Sequence, residues 1–371
     1  MTLVAARGPS RSDRIAGCLL GGAVGDALGA PIEFLRLSEI RERFGPEGLT
    51  DYAPAYGKLG AITDDTQMTL FTAEGLLRAM CRAATKGICD GPTVVYFAYL
   101  RWLKTQGYDS KSESFPFATE DLPRLDPEGT YPNGWLSTVR ALRSRRGPGS
   151  TCLAALRSGR FGRVEDREPI NSSKGCGGVM RAAPAGVVAD SATRAFELGC
   201  QTAAITHGHP TGWLAAGALA AIVYELLRGL TPRESVDVAL RLLKDEQRSG
   251  ECRDALAAAA ELTRRGAPSV GKLATLGEGW LAEEALAIGV YAALSAETFR
   301  DGVLLAVNHG GDSDSTGSIA GNILGAALGR EAIPEPWLER LELRDVIETI
   351  SADLVTGFEE TDEWWRKYPG C

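Results

Sequence analysis

The sequence predicts an all-α protein, on three observations. Apolar residues recur at helical spacing over most of its 371 residues. Neither strict apolar–polar alternation nor a strand–helix–strand rhythm occurs anywhere. Two segments near opposite ends carry small residues four apart, which marks helices packed backbone to backbone. A composition of 44% hydrophobic and 24% charged residues is enough for a sizeable core. No flexible linker and no internal repeat interrupts the pattern. The expected organisation is therefore a disordered N-terminal tail over residues 1–10 and one compact helical domain over 11–371.

The elements follow in order. In DRIAGCLLGGAVGDALGAPIEF, Gly17, Gly21, Gly25 and Gly29 share one helix face. Pro31 closes that helix and leaves Glu33 just past its end. DDTQMTLFTAEGLLRAMCRAA is a helix with apolar Met68, Leu70, Phe71, Leu76 and Leu77. TVVYFAYLRWLKT is rich in β-branched and aromatic residues, but its apolar run continues without alternation, so a helix is expected. WLAAGALAAIVYELLRG and TPRESVDVALRLLKDEQ follow. The second opens on Thr231 as N-cap, Pro232 at the first helical position and Glu234 at the third, a capping box. CRDALAAAAELTRRG and LAEEALAIGVYAALSA are further helices, and Gly321, Gly325 and Gly329 repeat the spacing of four. Clusters of Gly, Pro and polar residues mark 36–63, 107–135 and 159–178 as long loops. Structureless loops of that length in a compact domain usually surround a site.

Composition also excludes. A net charge of −8 and a pI near 5.2 argue against general nucleic-acid binding and against an anionic membrane surface. The one basic run, Arg140 to Arg146 in RALRSRRGPG, reads as a solvated helix end before a loop. Eight cysteines without a CxxC pair, several in apolar runs, read as reduced thiols of a cytoplasmic protein. The first residues lack the apolar core of a signal peptide, and the uncharged run from Ile15 is too short to span a bilayer.

Two acidic clusters carry the chemistry. AITDDTQMTL places Thr63, Asp64, Asp65 and Thr66 before an apolar helix, and GGDSDSTG places Asp312, Asp314, Ser315 and Thr316 before another. Either cluster alone reads as a helix cap, because short oxygen-bearing side chains accept from the first free N–H groups. Together they supply four carboxylates plus hydroxyls, a donor set suited to hard divalent cations and sufficient for two of them. Cysteine and histidine spacings fit no zinc site. SSKGCGGVMRAAPAG is Gly-rich, and its Gly175, Gly177 and Gly178 allow a ligand close to the backbone; it lacks the GK[ST] of a phosphate-binding loop. His207, His209 and His309 all lie beside Gly-rich turns, either as structural residues or as polar site residues. Glu33 alone reads as a surface carboxylate.

GCLLGGAVGDALGAPIEF, ITDDTQMTL, SSKGCGGVMRAAP, ITHGHPTG, GEGWLAEEALAIGVYAAL and NHGGDSDSTGSIAGNILGA occur in a fixed order between residue 17 and about 326. In these blocks and their order the chain resembles the ADP-ribosylglycohydrolases. The resemblance implies an all-helical fold with a central dinuclear cleft, two Mg²⁺ or Mn²⁺ ions, and hydrolysis of the bond between the distal ribose of ADP-ribose and an acceptor. It implies metal ligation by Thr63, Asp64, Asp65, Asp312, Asp314 and Ser315, with Asp314 bridging. Glu33 would stand beside the metals, and Glu33 or Asp65 would assist as the catalytic carboxylate. Ser173, Lys174, Gly175, Cys176, Gly177 and Gly178 would wrap ADP-ribose, and His207 would line its pocket. Trp280 falls on the adenine side, with a half-buried core aromatic as the alternative. The loop 107–135 matches no family pattern and is the expected seat of acceptor choice.

The expected function is removal of ADP-ribose from a modified protein, with the arginine linkage preferred. Rival readings are an ADP-ribose-binding protein without turnover, a hydrolase of serine-, nucleic-acid- or acetyl-linked ADP-ribose, and a nucleotide phosphohydrolase. The expected partners are ADP-ribose and ADP-ribosylated protein, with the chain acting as a monomer without nucleic acid or membrane.

Overall fold

A computed structural model describes residues 8–108, 110–111 and 134–369. Most of the loop expected at 107–135, and residues 1–7 of the expected tail, lie outside them. Among the described residues there are helices, short 3₁₀ turns and two isolated β-bridges, but no strand.

The architecture follows from the two rows of small residues. Helix α1 (Arg11–Gly29) starts at Ser10, whose hydroxyl accepts from the Asp13 N–H. It is followed by α2 (Leu37–Phe44), α3 (Asp64–Lys86), α4 (Gly91–Thr105), α5 (Ser150–Arg157), α6 (Ala183–Val188), α7 (Ala192–Ala204), α8 (Pro210–Leu227), α9 (Pro232–Asp245) and α10 (Gly250–Leu262). Next come α11 (Val270–Leu273), α12 (Ala282–Ser295), α13 (Phe299–Val307), α14 (Ser313–Leu328), α15 (Glu335–Arg340), α16 (Arg344–Thr356) and α17 (Asp362–Lys367). Gly17, Gly21 and Gly25 of α1 meet Gly325, Gly321 and Gly317 of α14, so the two helices run antiparallel in register. A Cβ on Gly21 would overlap the Gly321 carbonyl, and one on Gly25 would overlap the Gly317 carbonyl. The row on α14 also includes Gly317, and the expected Gly329 meets Gly17 through its backbone at the far end. Gly329 also ends the helix, at φ +81 beside Asp13.

This register fixes where the site lies. The last residue of α1, Gly29, abuts the backbone of Ser313 and Asp314 at the start of α14. Around this pair packs a core whose central helix, α8, is apolar on all sides. It is long and apolar enough to cross a membrane, but 89% of it is buried by the rest of the chain. The helix expected for TVVYFAYLRWLKT is α4, with Asp90 as N-cap. Thr231 and Glu234 form the expected capping box of α9.

Two local expectations are corrected. Within the loop expected at 36–63, LSEIRERF forms α2, because Glu39 at its third position accepts from the Arg36 N–H at 2.8 Å. The run Arg140–Arg146 is not a solvated helix end. Arg140–Arg143 is a 3₁₀ turn, Arg143 donates to the Ser137 carbonyl, and Arg146 is buried in an ion pair with Glu342 at 3.0 Å.

Candidate active site

Three helix ends meet at one cleft of about 390 Å³. The start of α3 contributes Asp64 and Asp65, the start of α14 contributes Asp312, Asp314 and Ser315, and the turn after α1 contributes Glu33 and Phe34. Gly175, Cys176, Gly177, His207 and Trp280 line it as well.

Asp26 positions the start of α3. It is fully buried in α1, and its carboxylate accepts from the Thr63 N–H at 3.0 Å, the Thr66 N–H at 3.1 Å and the Thr66 hydroxyl. A carboxylate in one helix thus holds the N-terminus of another, where the orphan amides and the dipole both favour it. Thr63 caps α3 from within by accepting from the Asp65 N–H at 3.3 Å. Asp64 accepts from the Gly149 N–H at 3.2 Å, and its own N–H donates to the Arg146 carbonyl at 2.9 Å. On α14, Asp312 accepts from the Ser315 N–H at 3.3 Å, so the expected cap does form. The expected carboxylate cluster forms too, since capping uses only part of each oxygen's capacity.

Burial and like charge push these carboxyls upward. Glu33 is pushed up to about 10, first by burial and then by the charges of Asp314, Asp312 and Asp64. Asp26 is pushed up to about 7 by burial and by Asp314, against the hydrogen bonds from Thr66 and Thr63. Asp64, Asp65 and Asp312 stand well above the usual carboxylate range for the same two reasons, and burial raises Asp314. Glu33 and Asp312 both lie within hydrogen-bonding reach of Asp314, and the Thr63 hydroxyl favours its ionised form.

The donor set fits a divalent cation. Asp65 Oδ2 is buried with no hydrogen-bond partner, which is costly unless something positive faces it. The surrounding oxygens are hard donors. Among the described residues no three His, Cys, Asp or Glu side chains form a finished metal cage. A cation here would draw on the hydroxyls of Thr63 and Ser315 and on water as well.

The second wall is built by a short pairing of two loops. The Cys176 N–H donates to the Trp280 carbonyl at 3.1 Å and the Ala282 N–H to the Lys174 carbonyl at 2.9 Å. That pairing brings the Cys176 thiol within 2.8 Å of Asp312 Oδ2, to which it donates. Trp280 stacks on Phe34 with ring centroids 5.2 Å apart and planes 19° from parallel. Phe34 is 72% exposed and sits at φ +66, a strained conformation for an aromatic residue. His207 is buried beside Gly177, with Nδ1 2.9 Å from the Thr206 hydroxyl. Burial, then the Arg181 charge, lowers it to about 3, so it is neutral.

Four expected site residues do not line the cleft. Thr63 lies directly behind it. Ser173 shapes the turn by accepting from the Gly175 N–H at 3.3 Å. The Lys174 ammonium is held by Glu251 at 3.0 Å and Glu283 at 3.2 Å. Gly178 packs against Ala203 and the Gly212 carbonyl. Of the other histidines, His209 caps α8 and His309 pairs with the Thr316 hydroxyl at 2.8 Å. Asp26, Phe34 and the 147–152 segment were not among the expected site residues. Asp26 carried a signal, a carboxylate that ends the uncharged run from Ile15 to Gly25 inside the helix. Phe34 and 147–152 carried none, because they enter through chain folding.

The cleft is thus a buried carboxylate cluster framed by helix N-termini on an all-helical scaffold, the kind of site a glycoside-bond hydrolase uses. The ADP-ribosylglycohydrolase family model matches residues 7–363, and the chain belongs to that family. It is 28% identical to the ADP-ribosyl-[dinitrogen reductase] glycohydrolase of Rhodospirillum rubrum, over 91% of this chain and 93% of that protein. It is 24% identical to the ADP-ribosylarginine hydrolase Tri1 of Pseudomonas putida, over 95% and 80%. Among solved structures it is similar to an ADP-ribosylglycohydrolase-related protein complex, with a TM-score of 0.61, 26% identity, and coverage of 94% of this chain and 98% of that one.

Proposed function

We propose that this chain hydrolyses the N-glycosidic bond between ADP-ribose and an arginine side chain of a modified protein, using two Mg²⁺ or Mn²⁺ ions. The observation that carries the reading is the convergence of Glu33, Asp64, Asp65, Asp312 and Asp314 on one cleft. Thr63, Asp64, Asp65, Asp312, Asp314 and Ser315 would hold the ions, which when bound supply Lewis-acid charge and a more acidic water. Cleavage forms a bond from water oxygen to the anomeric carbon and breaks the bond from that carbon to the guanidinium nitrogen. One proton leaves the water and one reaches the departing guanidine. The Asp65 carboxylate, holding an ion through one oxygen, would take the first through the other. Glu33, on the open side of the cleft and raised to about 10, carries a proton that it is placed to give to the departing guanidine nitrogen. Once that proton is transferred, its carboxylate can pair with the guanidinium product through two parallel charge-assisted bonds, which a serine hydroxyl cannot offer. Gly175, Cys176, Gly177 and His207 border the space left for ADP-ribose, with Trp280 toward the adenine.

The test is side-by-side incubation with arginine-, serine- and nucleic-acid-linked ADP-ribose, followed by product identification. Fastest release of free ADP-ribose from arginine, abolished by chelation and restored by Mg²⁺ or Mn²⁺, is the expected result. Faster release from serine would overturn the linkage. AMP or phosphate as product, or no turnover with either metal, would overturn the reading itself.

A further inference from the structure

We infer that a basic groove beside the cleft binds an acidic segment of the protein substrate next to the modified arginine. This rests on the function proposed above.

Lys58, Arg140, Arg143 and Arg146 line a groove of about 770 Å³, and Glu342 is the sole carboxylate among its lining residues. Four cations against one anion reverse the sign of a chain whose net charge is −8. Glu342 is already engaged by Lys58 at 2.6 Å and Arg146 at 3.0 Å. Arg143 donates only to the Ser137 carbonyl, and the exposed Arg140 has no carboxylate partner among the described residues. Two guanidinium groups are therefore left to offer charge-assisted bonds to a ligand.

The groove adjoins the reaction centre through one turn of chain. Arg146 forms part of its wall, and the next residues, Gly147 to Ser150, line the carboxylate cleft. The Arg146 carbonyl accepts from the Asp64 N–H, and its guanidinium covers the Tyr56 ring at 4.9 Å. A Cβ on Gly147 would lie 3.1 Å from the Tyr56 hydroxyl and 3.9 Å from both Asp64 and Glu33. A peptide whose arginine enters the cleft would lay its neighbouring residues against Arg140 and Arg143. The two compartments have opposite polarity, so the preferred sequence is an arginine flanked by Asp or Glu. The overall negative charge disfavours a nucleic acid, whose long-range attraction requires a basic protein face. A short acidic peptide needs only the local contacts.

The experiment compares two ADP-ribosyl-arginine peptides of equal length, one with acidic and one with neutral flanks, alongside free ADP-ribosyl-arginine. Wild type is expected to show a lower KM for the acidic peptide at equal kcat, with the difference shrinking as salt is raised. Arg140→Glu and the double variant Arg140→Gln/Arg143→Gln should raise that KM about three- to tenfold, the scale of two exposed charge contacts. Both should leave free ADP-ribosyl-arginine turnover unchanged. Equal KM for the two peptides in wild type, or a preference that survives both variants, would overturn the inference. Fluorescence anisotropy with the same peptides and a single-stranded oligonucleotide reads the groove without turnover. Tighter binding of the oligonucleotide would also overturn it. Loss of turnover on every substrate, with acidic-peptide binding intact and sensitive to Arg140, would instead sink the hydrolase reading.

Discussion

Asp314 and Ser315 are neighbours in one helix turn, yet they carry different loads. Asp314 is the charge felt by Glu33, Asp26, Asp64, Asp65 and Asp312 alike, so it lies at the electrostatic centre of the cleft. Ser315 offers one hydroxyl, 3.7 Å from the Cys176 sulfur. Asp314→Ala is therefore expected to lower kcat/KM by at least tenfold more than Ser315→Ala. It should also weaken Mn²⁺ binding more, as isothermal calorimetry would show; equal losses would remove Asp314 from the bridging role. Trp280, which lines the cleft and stacks on Phe34, is expected to act through its ring. Stacking on a base is worth about 1–3 kcal/mol by analogy with nucleic-acid binders. Trp280→Ala should thus weaken ADP-ribose by roughly that amount and leave a phosphoribose fragment nearly unaffected. Because the Trp280 carbonyl holds the Cys176 N–H through backbone alone, the substitution leaves that pairing in place. Equal loss for both ligands would make Trp280 a support of the loop instead.

At the level of elements, the contact between α1 and α14 explains why the site forms at all. Its closeness depends on residues without side chains, and Gly321→Ala would drive a methyl into the Gly21 carbonyl. A destabilisation of about 1–3 kcal/mol or more is expected by chemical denaturation, together with reduced activity as Asp314 moves away from Gly29. Gly250→Ala, at the start of α10 with open space around it, is the control. It should leave stability unchanged or raise it by about 0.4–1 kcal/mol. A Gly321→Ala protein as stable as the control would refute the close-contact account. This contact also marks how far the sequence could be read. Spacing of four named Gly17, Gly21, Gly25, Gly321 and Gly325 as close-packing residues, and helical periodicity found α4 despite its β-branched content. The partner of each glycine depends on tertiary register, which no local pattern encodes, so the spacing does not reveal Gly317 as the partner of Gly25. The acidic clusters were legible because oxygen donors are chemically distinctive. Lys174 entered the expected ligand set only with the glycine-rich block that the resemblance implies, and its partners Glu251 and Glu283 are remote in sequence. Arg146 looked solvated because its partner Glu342 lies 196 residues away.

For the whole molecule, the carboxylate cluster makes stability depend on pH and on cations in a specific direction. A carboxyl whose folded pKa is raised binds its proton more tightly when folded. Its stabilising contribution is complete below the unfolded value and is lost as pH rises through the folded value. For Asp26 that loss runs from 3.8 to about 7, and for Glu33 from 4.5 to about 10. Two buried histidines pull the other way. His207 is lowered from 6.5 to about 3 and His309 from 6.5 to about 4, so each adds stability above pH 6.5 and loses it as pH falls toward the folded value. Between about pH 4 and 6.5 the two effects oppose each other. Above pH 6.5 the unfolded histidines lose the rest of their protons within about one pH unit, while the more numerous raised carboxyls go on changing. The metal-free protein is therefore expected to show a Tm that falls steadily from pH 6.5 to 8.5. A divalent cation supplies the charge that ionised Asp64, Asp65, Asp312 and Asp314 lack, so Mg²⁺ or Mn²⁺ should flatten that decline and raise Tm most at the alkaline end. At a hundredfold excess over Kd the added stability is about 2.7 kcal/mol, enough to move Tm by several degrees. Differential scanning calorimetry of chelator-treated and metal-loaded protein across this window measures it. A metal-free Tm that is level or rises with pH would show that the cleft is not under like-charge load. A cation effect of equal size at pH 6.5 and 8.5 would place cation binding away from these carboxylates.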